Sequence, residues 1–128
     1  RIEKRIAEQQ AKLHESEEAY RQAKAPFFGL SFADEIIHVH VLESVREFFL
    51  EGETMHHCVF SNGYYKKDDS LILSATINGK RIETIEVSIS QLQIIQCRGA
   101  CNKETKYHNR IINLVNRNMP LIQKRIAA

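Results

Sequence analysis

Residues 71–98 read LILSATINGKRIETIEVSISQLQIIQCR, a run of three strand-like segments that sets the architecture of the chain. Asn78-Gly79 separates two runs rich in β-branched residues. Both central positions of a tight type I′ hairpin need positive φ, which Asn and Gly tolerate best. In the second run Ile85, Val87 and Ile89 alternate with Thr84, Glu86 and Ser88, the period of a strand with two unlike faces. In the third, Leu92, Ile94, Gln96 and Arg98 alternate with Gln93, Ile95 and Cys97, and Gly99 ends the run. Strands over 71–77, 81–89 and 92–98 therefore make an antiparallel meander.

Upstream, Ile36 to Leu42 reads as an additional strand, with Ile37, Val39 and Val41 on one face and His38 and His40 on the other. Ser44 and Glu47 have the spacing of a capping box, which starts a helix carrying Val45, Phe48 and Phe49 inward and stopping at Gly52. Thr54 is placed to cap a second short helix through His57, Cys58 and Val59, which Asn62-Gly63 breaks. Residues 2–24 hold strong helix formers without Gly or Pro, but only Ile2, Ile6, Leu13 and Tyr20 form an apolar stripe. Such a helix lies at the edge of a domain or continues an upstream region. Ala25-Pro26 ends it, and residues 27–32 read as an apolar linker. After Glu104, Tyr107, Ile111, Leu114, Val115 and Ile122 recur at helical spacing, and Pro120 kinks or restarts that helix. The fold class is α+β: a small meander sheet with an additional strand, packed on one face by short helices and a C-terminal helix, with the N-terminal helix at the edge. The division expected is a helix over 1–25 and an α+β domain over 26–128.

The chain has 128 residues, 43% of them hydrophobic and 27% charged, which suits one globular domain large enough to fold without a metal or disulfide. No apolar run reaches membrane-spanning length and no signal-peptide pattern opens the chain, so a cytoplasmic location and no membrane partner are expected. The first residue is Arg1, so the chain reads as an excerpt of a longer protein. Cys58, Cys97 and Cys101 have no disulfide-framework spacing and are expected as reduced thiols. The net charge of +2 is uneven: beyond residue 95 Glu104 is the lone acid among seven Lys and Arg. A basic C-terminal third points to an acidic partner such as nucleic acid, or to a solvated helix face.

From Leu50 to Asn102 the ordered pieces Glu51-Gly52, Met55-His56-His57-Cys58-Val59, Tyr64-Tyr65, Thr84-Ile85-Glu86, Gln96-Cys97-Arg98-Gly99 and Asn102 resemble the PcfJ-like family of bacterial conjugative plasmids and integrative elements. The resemblance implies a setting of DNA mobilisation and transfer, with other conjugation-element proteins as partners. It implies no particular reaction.

His57, Cys58, Thr84, Glu86, Gln96, Arg98 and Asn102 are polar residues near the expected apolar faces. One reading makes Glu86 and His57 an acid/base pair, with burial raising the Glu86 pKa toward neutrality, and Gln96, Arg98 and Asn102 orienting a substrate. The other is an internal polar network fixing the short helices to the sheet. Either reading brings His57, Glu86, Gln96 and Asn102 into one pocket with Cys58 packed behind. Cys58 in the first turn of a helix is a nucleophile candidate or a packed thiol. A zinc site drawn from His57, Cys58, Cys97, Cys101 and His108 has ligand types that zinc prefers but no familiar spacing, so no metal and no cofactor are expected. Arg98, Lys103, Lys106, Arg110 and Arg117 are the nucleic-acid candidates, the last four able to share one helical face that tracks phosphates. The first functional reading is thus an accessory domain of a mobile-element protein with sequence-independent affinity for DNA. The alternatives are a hydrolase domain acting on nucleic acid or a nucleotide, and a protein–protein module using the N-terminal helix.

Overall fold

The structure, a computed structural model, describes residues 1–127. Its elements are α1 (Ile2–Lys24), β1 (Ser31–Ala33), β2 (His38–Val41), α2 (Val45–Met55), β3 (Ser70–Ile77), β4 (Lys80–Ser88), β5 (Gln93–Arg98), α3 (His108–Arg117) and α4 (Met119–Ala127). The fold class is α+β, and the five strands form one open antiparallel sheet in chain order. Asn78 and Gly79 turn the β3–β4 hairpin with φ of 51° and 80°. Pro120 stands in the first turn of α4, where a missing N–H costs nothing.

Several features depart from the sequence reading. Residues 27–32 are not all linker: Ser31–Ala33 pairs with β2 through Phe32 opposite Val39. The β1–β2 turn closes on Asp34, whose side chain accepts the backbone N–H groups of Ile36 and Ile37.

Helix α2 runs through Gly52 to Met55, and the left-handed residue that ends it is His56. Gly52 serves close approach instead, since a Cβ there would stand 3.2 Å from the His57 carbonyl oxygen. The expected second helix through His57, Cys58 and Val59 does not form: residues 56–63 are turns and bends, and a single 3-10 turn follows at Tyr64–Lys66. Phe49, expected inward, is 44% exposed, while Glu51 takes the buried position.

A β-bulge at Ile95 breaks the alternation of β5. Glu86 pairs with Gln96 but Val87 pairs with Ile94, so Ile94 and Gln96 face opposite sides and Ile95 is left exposed.

Helices cover both faces of the sheet, not one. On the first face Val39, Val41, Leu71, Leu73, Ile85 and Val87 pack against Ile111, Leu114, Val115 and Ile122 of α3 and α4. The second face is covered by the chain between β2 and β3: Val45 and Phe48 of α2 and Val59 of the turn segment meet Ile72, with Tyr20 of α1. Phe48 is fully buried, which stabilises by about 2–3 kcal/mol at the usual transfer coefficient.

Helix α1 is attached at its C-terminal end. Tyr20 donates to the Leu42 carbonyl at 2.5 Å, and Lys24 donates to the carbonyls of Lys67 and Asp68, each at 3.0 Å. Glu17 accepts the free N–H groups of Val45 and Arg46, capping α2 together with Ser44. Residues 1–15 are exposed throughout.

Candidate functional site

The second face carries polar side chains where a two-sided core would be apolar. Ser70, Ser74, Thr84, Glu86 and Ser88 are all buried there. Each burial costs free energy unless every polar atom finds a partner. Among the described residues, none of the buried side-chain nitrogen or oxygen atoms lacks one.

Two carboxylates organise the face. Glu51, fully buried on α2, accepts from Ser74 at 2.9 Å, from Arg81 and from the Thr84 hydroxyl. Thr84 has one proton and gives it to Glu51, so its oxygen accepts from His57 Nε2 at 2.8 Å. That fixes the His57 tautomer with the proton on Nε2. The remaining nitrogen, Nδ1, is an acceptor whose nearest donor is the Val59 N–H at 3.5 Å, too long for a firm bond. Burial pushes the His57 pKa below its usual value, against the opposing pull of a hydrogen bond to its own backbone and then of the Glu51 charge, so the ring is neutral at pH 7.

Glu86 is the second carboxylate. Its Oε2 accepts from Ser70 at 2.6 Å and Lys67 at 3.2 Å, and its Oε1 accepts from Gln96 at 3.0 Å. Burial alone would raise the Glu86 pKa, but the donors Ser70, Gln96 and Lys67 outweigh it and hold the group below the usual carboxylate value. The rise toward neutrality anticipated for Glu86 is therefore reversed, and Glu86 is an anion held by three donors. Its work is to fix Gln96 and Lys67. Gln96 gives its second amide hydrogen to the Tyr64 oxygen at 2.8 Å, which leaves the Tyr64 hydroxyl proton for another acceptor. The Lys67 ammonium lies 3.9 Å from the centre of the Tyr64 ring.

A cavity of about 260 Å³ opens between these groups. His57, Glu86, Gln96, Asn102, Cys58 and Arg98 all line it, with Tyr64 and Thr84 beside them. Cys58 is exposed at the cavity wall, not packed behind it, and it lies in the turn two residues past the left-handed His56 instead of starting a helix. The dipole argument for a reactive thiol there no longer applies. Arg98 is held by the bond from its Nη1 to the Cys97 carbonyl at 2.9 Å. Asn102 at the rim has φ of 62° and follows Cys101 at 57°. Two adjacent left-handed residues other than glycine cost about 1–3 kcal/mol each, a strain that concentrates at functional sites.

The basic residues do not form one helical face. Helix α3 begins at His108, so Lys103 and Lys106 lie in the loop before it. Arg110 is bound to Asp34 at 2.7 Å and to Glu35 at 3.0 Å. Lys103, Lys106 and Arg117 are exposed.

Glu51 and Glu83, the two fully buried acids, escaped the sequence reading as site residues. Their spacing carried the signal. Glu51 shares the stripe of Val45, Phe48, Gly52 and Met55 on α2, and Glu83 shares the parity of Ile85 and Val87 on β4.

A family model described as PcfJ-like protein matches residues 2–112. No curated protein and no solved structure matches the chain. Among the described residues no helix is long and apolar enough to cross a membrane.

Proposed function

The chain belongs to the PcfJ-like protein family, and from that premise we propose that it is a hydrolase-type domain acting on a phosphoester of a nucleotide or nucleic acid in the service of a mobile element. One observation carries the reading. The Arg81–Glu51–Thr84–His57 chain of hydrogen bonds ends on the wall of an open cavity and leaves His57 Nδ1 as a neutral base. The relay ends on a half-buried histidine at a cavity wall, the setting in which a general base is found.

In this reading Nδ1 takes a proton from water as the water oxygen attacks phosphorus, the P–O bond to the leaving group breaks, and the leaving oxygen recovers the proton from the imidazolium. Arg98 anchors a phosphate oxygen, and Tyr64 and Asn102 donate to the others. Glu86 stays ionised and positions Gln96 and Tyr64. The acid/base pair read from the sequence thus becomes a single base, His57, backed by Glu51.

The test is product release from nucleoside mono-, di- and triphosphates and from a single-stranded oligonucleotide. Turnover that disappears in His57→Gln and shows a raised KM in Arg98→Ala supports the reading. No turnover and no binding of any probe overturns it. A second reading, an accessory surface that tracks DNA phosphates, draws on Arg98 and Lys103 flanking the cavity-rim residue Asn102. It predicts salt-dependent binding without turnover, weakened by Lys103→Glu and Lys106→Glu.

A further inference from the structure

The other face of the sheet holds a cluster that the cavity does not use. Glu83 is fully buried, and its Oε1 accepts both the Cys97 thiol at 3.0 Å and the His108 Nδ1–H at 2.8 Å. Its Oε2 accepts from the Thr105 backbone N–H at 2.9 Å and from the Thr105 hydroxyl at 2.5 Å. The thiol sulfur, the imidazole nitrogen and a carboxylate oxygen lie within 4.8 Å of one another. They come from β4, β5 and the first residue of α3, so no sequence spacing announces them. The earlier five-residue zinc grouping fails because the sheet separates its members: Cys97 and His108 lie on this face, and His57 and Cys58 line the cavity on the other.

We propose that Glu83, Cys97 and His108 form a binding site for a divalent transition ion of zinc type, independent of the cavity and of the function proposed for it. Thiolate, imidazole and carboxylate are zinc's preferred donors, and three protein ligands leave the fourth tetrahedral position to water. The His108 side chain, 14% exposed, is the side from which water reaches the ion. The outer partners are already in place. Thr105 fixes the carboxylate through Oε2 and leaves Oε1 to the ion, and Glu104 lies 3.6 Å from His108 Nε2, where the ring proton must point once Nδ1 binds metal.

The protons balance. The metal–sulfur bond forms as the Cys97 thiol proton leaves to solvent, and the imidazole proton moves from Nδ1 to Nε2. Tetrahedral ligands at about 2.0–2.3 Å from zinc stand roughly 3.2–3.6 Å apart, so loading opens the present contacts by a few tenths of an ångström. That is within reach of a small shift at the start of α3.

The test is a cobalt(II) titration of the metal-stripped chain followed by its thiolate charge-transfer band. The background is Cys58→Ser with Cys101→Ser, which removes the two exposed thiols. The expected result is one equivalent bound with the band intact, displacement by zinc, and loss of the band in His108→Gln or Cys97→Ser. Because the band is read on a chain whose cluster is unaltered, misfolding of a cluster variant cannot imitate a negative result. A band that vanishes with the exposed thiols, or no band at all, overturns the proposal and leaves a hydrogen-bonded lock between α3 and the sheet.

Discussion

His57 Nε2 lies 2.8 Å from Thr84 Oγ1, and the Thr84 proton is committed to Glu51. A hydroxyl placed between a buried carboxylate and an imidazole transmits the choice of tautomer across the α2–sheet interface. The expected outcomes below follow from that relationship and from its neighbours.

Glu51→Gln removes the charge that pairs with Arg81 and replaces one of the two oxygens serving Ser74, Arg81 and Thr84 with an amide donor. Breaking a fully buried ion pair costs about 3–5 kcal/mol, and the partial exposure of Arg81, 20%, lowers that to about 2–4 kcal/mol. Chemical denaturation of the variant against the parent chain measures it. A loss below about 1 kcal/mol would mean that the relay is not formed in solution.

The pH dependence of stability carries a signature of His57. Its folded pKa lies below the unfolded value of about 6.5, because burial disfavours the imidazolium. As pH falls the unfolded chain takes the proton first, so this contribution is complete above about 6.5 and is lost as pH drops toward the folded pKa. The difference in stability between the parent and His57→Gln should therefore shrink on acidification through that window and stay flat above it. Thermal melts at a series of pH values read it directly.

Glu86 has the other sign. Its folded pKa is depressed by Ser70, Gln96 and Lys67 despite its burial, so its contribution is present above the unfolded carboxylate value of about 4.3 and disappears as pH falls through the folded one. Glu86→Gln should cost about 1–3 kcal/mol at neutral pH, and the cost should fade in acid. An unchanged or raised Tm at pH 7 would show that Glu86 is not the anchored anion seen here.

Gly99 is fixed by space. A Cβ there would stand 2.7 Å from Thr105 Cγ2 and 2.8 Å from the Ile82 carbonyl oxygen, and the backbone oxygen cannot rotate away. Gly99→Ala should destabilise by about 1–3 kcal/mol and loosen the loop that presents Asn102. Equilibrium unfolding gives the first effect, and hydrogen exchange over residues 99–103 the second.

Much of this fold was legible because local chemistry agreed with the final packing. Asn78-Gly79 turned where only such residues turn cheaply, and α1 and the helix restart just before Pro120 followed propensity. Three things were not local. The bulge at Ile95 reverses the facing of Ile94, which a strict two-residue period cannot foresee. Strand β1 is three residues long, too short to show a period at all. The turn segment after α2 is held by packing of Val59 on Ile72, not by helix propensity, so a capping residue at Thr54 misled. At the site, His57, Glu86, Gln96, Arg98 and Asn102 stood out as polar residues beside apolar runs. Glu51 did not, because an acid on the inward stripe of an amphipathic helix reads as an interruption until its partners Arg81 and Thr84 are seen across the interface.

Glu51, acting through Thr84, holds His57 as a neutral ring with its proton on Nε2 and a lone pair on Nδ1. Long-range proton–nitrogen NMR of the histidine side chains in the intact chain at pH 7 tests it most directly. A protonated Nε2 and a bare Nδ1 are expected for His57, with that preference lost in Thr84→Val. A ring protonated on Nδ1 alone, or an imidazolium at pH 7, would contradict it.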